Sequence, residues 1–161
     1  MHLFKLIYYF DWTTISINSK NFIIEDLSSF DSSKADLVIF SAGSNVAEKY
    51  ARDFVAAGSF VVDLSSNFRY QDDVPLIIPE INGDIIESLS KPSLIANPNC
   101  STAQLLMALK PIHDNAKIKF LNIATYQAVS GTGKAALEEL HNQTYFTDSK
   151  NESVVYPKQI A

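Results

Sequence analysis

The chain has 161 residues, 47% of them apolar and 19% charged, with a formal net charge of −5 and a pI near 5.1. That length suits one domain, or one domain and part of another, and the apolar share supports a core and argues against disorder. The acidic balance gives no electrostatic reason to bind nucleic acid or an anionic membrane, and a single cysteine, Cys100, excludes an internal disulfide framework and a Cys-based structural zinc site.

The N-terminal run Leu3–Phe10 is apolar but is broken by Lys5 and ends at Asp11. It is too short to span a bilayer, and no small-residue cleavage site follows it, which argues against a signal peptide. A first strand or an irregular start is expected. "NFIIEDL" (21–27) alternates like a short strand, and "DLVIFSA" (36–42) is a continuous apolar run that suits a strand buried on both faces of a parallel sheet. "NVAEKYARDFVAAG" then spaces Val46, Tyr50, Phe54 and Val55 as a helix does and closes on Gly58. With "SFVVDLSS" (59–66) as the next strand, residues 36–66 read as one βαβ unit.

Further along, "PLIIPE" predicts a strand between two prolines, "GDIIESLSK" (83–91) a short helix and "SLIAN" (93–97) a strand. From Thr102 the apolar residues run at helical spacing, and Pro111 predicts little extension beyond it. "KIKFLNIATYQAVSG" (117–131) is rich in β-formers, "GKAALEELHNQTYF" (133–146) is helical, and the polar tail after it looks loosely held. The alternation defines an α/β fold class with a mainly parallel sheet. A nucleotide-binding domain of this kind opens with strand, Gly-rich turn and helix, yet the first 35 residues contain no glycine.

Cys100 stands in "IANPNCSTAQLLMAL". Asn97 precedes a proline and should end a strand, Asn99 is a favourable N-cap, and Cys100 falls in the first helical turn. Backbone N–H groups and the positive helix end converge there, which favours a thiolate. The same N–H groups, with the Asn99 amide, could receive an oxyanion. A buried structural thiol is the equally weighted alternative. A proton-moving partner is hard to find: His2 is terminal, His113 lies ~18 Å or more along the helix, and His141 belongs to another helix with a solvent-facing position expected.

Four blocks, "VIFSAGSNVAEKYA", "VVDLSSNFRYQDDVPLIIPEIN", "SLIANPNCSTAQLLMALKPIHD" and "ATYQAVSGTGKAALEEL", together resemble aspartate-semialdehyde dehydrogenase over roughly residues 17 to 146. The Asn-Pro-Asn-Cys-Ser-Thr block is specific, because the related N-acetylglutamyl-phosphate reductases have Gly before the Cys and an aromatic after it. The resemblance implies a cytoplasmic homodimer of two domains, in the pathway to lysine, methionine and threonine. It implies interconversion of aspartate-4-semialdehyde and aspartyl-4-phosphate, with phosphate and NADP. By the resemblance Cys100 is the nucleophile, Asn99 an oxyanion or positioning group, Gln127 a substrate-positioning group and Arg69 the phosphate-binding arginine. A guanidinium on a Ser/Asn-rich loop independently suits bidentate phosphate binding. Ser41, Ala42 and Gly43, and Ser130 and Gly131, match cofactor-contacting turns, and no metal is implied.

The chain departs from that pattern at both ends. Nothing resembles the family's Gly-rich phosphate loop, residues 1–14 read as non-homologous, and the family's catalytic histidine and substrate-carboxylate arginine find no match. The expectation is an internal fragment: residues 1–97 a partial Rossmann-like NADP-binding domain, residues 98–161 the start of an α+β catalytic and dimerisation domain. Such a chain should bind NADP poorly and be inactive alone. Two alternatives stand beside it: a non-catalytic remnant that binds a partner chain through an exposed sheet edge, and an unrelated cysteine hydrolase, which would need a histidine near the thiol.

Overall fold

The computed structural model describes residues 3–5, 14–145 and 153–161. By internal packing the chain divides into two units, residues 1–117 and 118–161.

In the first unit, Asn18 and Ser19 both adopt positive φ, the requirement of a two-residue hairpin turn. They fold "ISINSKNFIIEDL" into an antiparallel pair, β2 (Thr14–Ile17) and β3 (Lys20–Asp26), with Ile17 opposite Lys20. The strand expected over 21–27 matches most of β3, but β2 and the turn were not expected, because Asn-Ser lacks the glycine that marks such hairpins. The backbone of β1 (Leu3–Lys5) lies parallel to β3 on its other side.

The second sheet is the βαβ unit and its extension. β4 (Leu37–Phe40), β5 (Phe60–Asp63) and β6 (Leu94–Ala96) are parallel, in that order, with Phe40, Asp63 and Ala96 in register across it. Helix α1 (Ser44–Ala56) crosses from β4 to β5. It buries Ala47, Ala51 and Phe54 against Val38, Phe40, Val61, Leu94 and Ala96. The two alanines bring the helix backbone close to the sheet, and Phe54 fills the remaining depth, stacked on Phe30 and edge-on to Phe40. Gly58, at φ 106°, turns the chain out of α1 into β5 without the penalty a side chain would incur.

The apolar run of β4 predicted burial on both faces. Only one is covered: Val38 and Phe40 are buried, while Leu37 and Ile39 point away from α1 and remain 61% and 62% exposed. "PLIIPE" supplies a single bridge, Leu76 to Ala96, because its flanking prolines lack the N–H that a ladder needs. Two one-turn helices follow, α2 (Pro79–Asn82) and α3 (Asp84–Glu87). α4 (Cys100–Ala116) continues through Pro111, contrary to the sequence expectation, and ends where Lys117 turns left-handed at φ 52°. One missing N–H does not stop a helix whose neighbouring turns are intact; Asn115 donates to the Pro111 carbonyl at 2.7 Å and supports the turn beyond.

In the second unit, residues 118–128 form no strand, despite their β-rich composition. A strand exists only by pairing, and no partner strand occurs among the described residues of that unit. A 3₁₀ turn, Val129–Thr132, leads through Gly133 into α5 (Lys134–Tyr145). Of the tail expected to be loose, residues 147–152 lie outside the described residues and 153–161 are held. Glu139 accepts the N–H groups of Val154 and Val155 at 2.9 and 2.6 Å, and Gln143 those of Ile160 and Ala161 at 2.8 and 3.2 Å. Tyr156 and Thr132 share a further hydroxyl contact at 2.7 Å.

Candidate active site

Three parallel strands end together, so the residues that follow them leave the sheet at one edge. Leu64 N–H donates to Phe40 C=O at 2.9 Å, and Asn97 N–H to Asp63 C=O at 2.8 Å. Ser41–Gly43, the loop from Leu64, and Asn97–Asn99 therefore issue from the C-terminal edge, where α/β sheets place their ligands. The loop after β5 is fixed from inside. Buried Asp63 accepts from Ser65 N–H at 3.0 Å and Ser65 Oγ at 2.7 Å, and Ser65 Oγ accepts in turn from Asn67 N–H at 3.1 Å.

The segment from β6 to α4 carries the cysteine. Asn99 has extended backbone, φ −60° and ψ 143°, and its Oδ1 accepts from Ser101 N–H at 3.0 Å, an N-cap as expected. Cys100 is the first helical residue and is exposed, its Sγ 4.0 Å from Asn99 Oδ1. With Oδ1 turned to the cap, the Asn99 amide nitrogen is the end left to donate elsewhere. Position and exposure separate this thiol from a buried structural one. His113 sits on the same helix, 13 residues on, so the helix holds it ~20 Å away.

Arg69 is half-buried and bonded to backbone. Its Nε donates to Asn97 C=O at 2.9 Å and its Nη2 to Leu64 C=O at 3.2 Å. The guanidinium therefore ties the loop after β5 to the segment three residues before Cys100. Behind it, Arg52 on α1 pairs with Asp73 at 2.9 Å, donates to Gln71 at 2.7 Å and lies over the ring of buried Phe68. Gln71 donates onward to Asn67 C=O at 3.3 Å.

Ser41, Ala42 and Gly43 are exposed between β4 and α1. Gly43 caps α1 at φ 89°, with open space where a Cβ would stand and no side-chain cap on the helix. The first helical N–H groups are thus left uncapped on a backbone that only glycine adopts freely, a fit to the phosphate or ribose edge of a dinucleotide. Ser44 Oγ and Ser66 Oγ, 3.3 Å apart, join this turn to the loop that carries Arg69.

Gln127, Ser130 and Gly131 lie in the second unit, all exposed. Gln127 Nε2 donates to Thr125 Oγ1 at 3.3 Å. Ser130 and Gly131 form the 3₁₀ turn, where Gly131 N–H bonds Ala128 C=O and Ser130 C=O accepts from Gly133 N–H, both at 3.1 Å. In the first unit the structure gathers Ser41–Gly43, Arg69, Asn99 and Cys100 on loops of one sheet edge. Arg52, Asp73 and Ser66, which organise that edge, were not anticipated; only the Ser/Asn/Asp density of 63–73 hinted at such wiring.

Cys100 thus stands exposed at a helix start, at the C-terminal edge of a parallel sheet, and known proteins share this fold and sequence. Residues 9–89 match the family model of the semialdehyde dehydrogenase NAD-binding domain, and residues 109–160 that of the semialdehyde dehydrogenase dimerisation domain. The chain belongs to the semialdehyde dehydrogenase family. Its relatives are aspartate-semialdehyde dehydrogenases: that of Shewanella violacea is 49% identical over 92% of this chain, and that of Legionella pneumophila 47% over the same share. The chain spans 44% and 43% of those proteins' lengths. Among solved structures, aspartate semialdehyde dehydrogenase II from Vibrio cholerae, complexed with ASA, superposes with a TM-score of 0.76 at 41% identity, covering 92% of this chain and 45% of that one. A probable aspartate-semialdehyde dehydrogenase from Pseudomonas aeruginosa gives 0.80 at 26% identity over 99% of this chain and 48% of that one. The family match begins at residue 9, inside the stretch that reads as non-homologous.

Proposed function

We propose that this chain carries the nucleophilic half of an NADP-dependent aspartate-semialdehyde dehydrogenase. The observation that carries it is Cys100, exposed at the first position of α4 beside the capping Asn99. In the biosynthetic direction Cys100 Sγ attacks the acyl carbon of aspartyl-4-phosphate. A C–S bond forms, the C–O bond to phosphate breaks, and phosphate leaves toward Arg69. The developing oxyanion is met by helix N–H groups and the Asn99 amide, and the family resemblance alone gives Gln127 a substrate-positioning role. NADPH, when bound, supplies the hydride that takes the thioester to the aldehyde level. Ser41–Gly43 are the residues of the first unit that would hold it, and the family resemblance alone assigns a cofactor contact to Ser130–Gly131. The domain division falls at residues 97/98, and the assembled enzyme is a cytoplasmic homodimer serving lysine, methionine and threonine synthesis.

Alone, this chain is proposed to be inactive, since no described histidine of the first unit comes near the thiol and a general acid–base group contributes about 10²–10⁴ in rate. The test is phosphate-dependent NADP reduction with aspartate semialdehyde, using the purified chain and a Cys100→Ala control. The folded chain should show no turnover, and mixing with the remaining segments of a relative should restore it. Turnover by the chain alone, lost in Cys100→Ala, would overturn the inactivity. A second reading, a partner-binding module without catalysis, has the bare face of β4 in its favour, where Leu37 and Ile39 are exposed. Binding to the remaining segments without restored turnover would select it.

A further inference from the structure

We propose that Arg69 is a positioning residue for Cys100 as well as an anion ligand, and that its two forks divide these tasks; the anion half rests on the function proposed above. A guanidinium has five N–H donors along two edges. The Nε–Nη2 edge of Arg69 is committed to protein: Nε to Asn97 C=O at 2.9 Å, Nη2 to Leu64 C=O at 3.2 Å. The Nη1–Nη2 edge keeps one hydrogen on each nitrogen, the fork that meets two oxygens of a phosphate. Asn97 is pinned on every side of its peptide. Its N–H goes to Asp63 C=O at 2.8 Å, its C=O accepts from Arg69, and its side-chain amide donates to Pro98 C=O at 3.0 Å. Pro98 is buried and Asn99 caps α4, so the path from Arg69 to the start of α4 is two residues of restrained backbone.

Two consequences follow from this geometry. Removing the guanidinium frees Asn97 C=O and lets the Asn97–Asn99 segment shift, which spoils the alignment of helix N–H groups around the thiol. An anion gripped by the outer fork must pull on the same group, so phosphate occupancy and Cys100 reactivity are coupled. A lysine cannot reproduce this, because one ammonium cannot serve two carbonyls and a bidentate anion together.

Cys100 is the sole cysteine, so its alkylation by iodoacetamide reads the site without cofactor or turnover. Since the thiol is already exposed, loosening the segment cannot accelerate alkylation by uncovering it. Arg69→Ala should alkylate roughly tenfold more slowly than wild type, about the factor that one charge-assisted hydrogen bond carries. Arg69→Lys should fall between the two, and carries the test if Arg69→Ala does not fold. Arg52→Ala is the control for mere stability, as it loosens the same loop through Asp73 and Gln71 but leaves the bond to Asn97. At matched folded fraction it should alkylate at the wild-type rate. Inorganic phosphate should change the wild-type rate saturably and leave Arg69→Ala untouched. Equal alkylation rates in wild type and both Arg69 variants, or equal slowing in Arg52→Ala, would overturn the positioning role even if phosphate acts on wild type. Slowing confined to the Arg69 variants with no phosphate effect would keep the positioning role and remove the anion site.

Discussion

Glu139 shows how one side chain can organise a segment that composition marks as loose. It is 7% exposed, and its carboxylate is held below the ordinary glutamate range, first by the Val155 N–H and also by that of Val154. A depressed folded value means that the stabilisation is full above the unfolded value of about 4.3 and is lost as pH falls through the lower folded one. Protection of the Val154 and Val155 amides, corrected for intrinsic exchange, should therefore be constant from pH 7 to about 5 and collapse below the glutamate range. Glu139→Gln should lose much of that protection already at pH 7. Unchanged protection in the variant would show that the tail is held by something else. In the sequence, Glu139 and Gln143 stand four apart on a helix whose apolar face is visible; their partners were not readable, since backbone N–H groups carry no residue signature. Asn99 and Cys100 were legible for the opposite reason, because an N-cap is a local rule.

At the scale of elements, α1 and the sheet beneath it were readable from spacing alone. Val46, Tyr50, Phe54 and Val55 marked the helix; Phe54 is buried and the other three are only partly so, while Ala47 and Ala51, which that pattern did not single out, complete the buried face against β4 and β5. Phe54 is the largest apolar side chain that α1 buries, at 2% exposure between Phe30 and Phe40. Phe54→Ala should cost about 3–5 kcal/mol, a large part of a domain's stability, measured as a fall in the urea midpoint at unchanged slope. A loss under about 1 kcal/mol would mean that the core collapses around the gap far more readily than such cores do. The failures at this scale share one cause. "PLIIPE" and residues 117–128 have strand composition, but composition does not supply a partner strand. The hairpin at Asn18–Ser19 hid for the converse reason: its pairing is real and its turn residues are atypical.

Across the whole molecule, the family pattern was legible because its blocks keep their order and spacing, and the ligand edge follows from the parallel sheet. What holds that edge together was not: the bonds Arg69–Asn97, Arg52–Asp73 and Ser44–Ser66 span 28, 21 and 22 positions of sequence. Such pairs arise from chain crossings that no local pattern records. The bare face bearing Leu37 and Ile39 likewise contradicts an expectation drawn from β4 alone. An apolar run states what a strand can bury and leaves open whether a covering layer is there.

The claim on which all of this turns is that Cys100 is a nucleophile toward an acyl phosphate. The most direct measurement is intact-mass analysis of the folded chain after brief exposure to freshly prepared aspartyl-4-phosphate, with inorganic phosphate release counted in parallel. One acyl group per chain is expected, mapped to Cys100 and absent in Cys100→Ala, with one phosphate released per adduct. A folded chain that stays unmodified, or that acylates equally in Cys100→Ala, would contradict it.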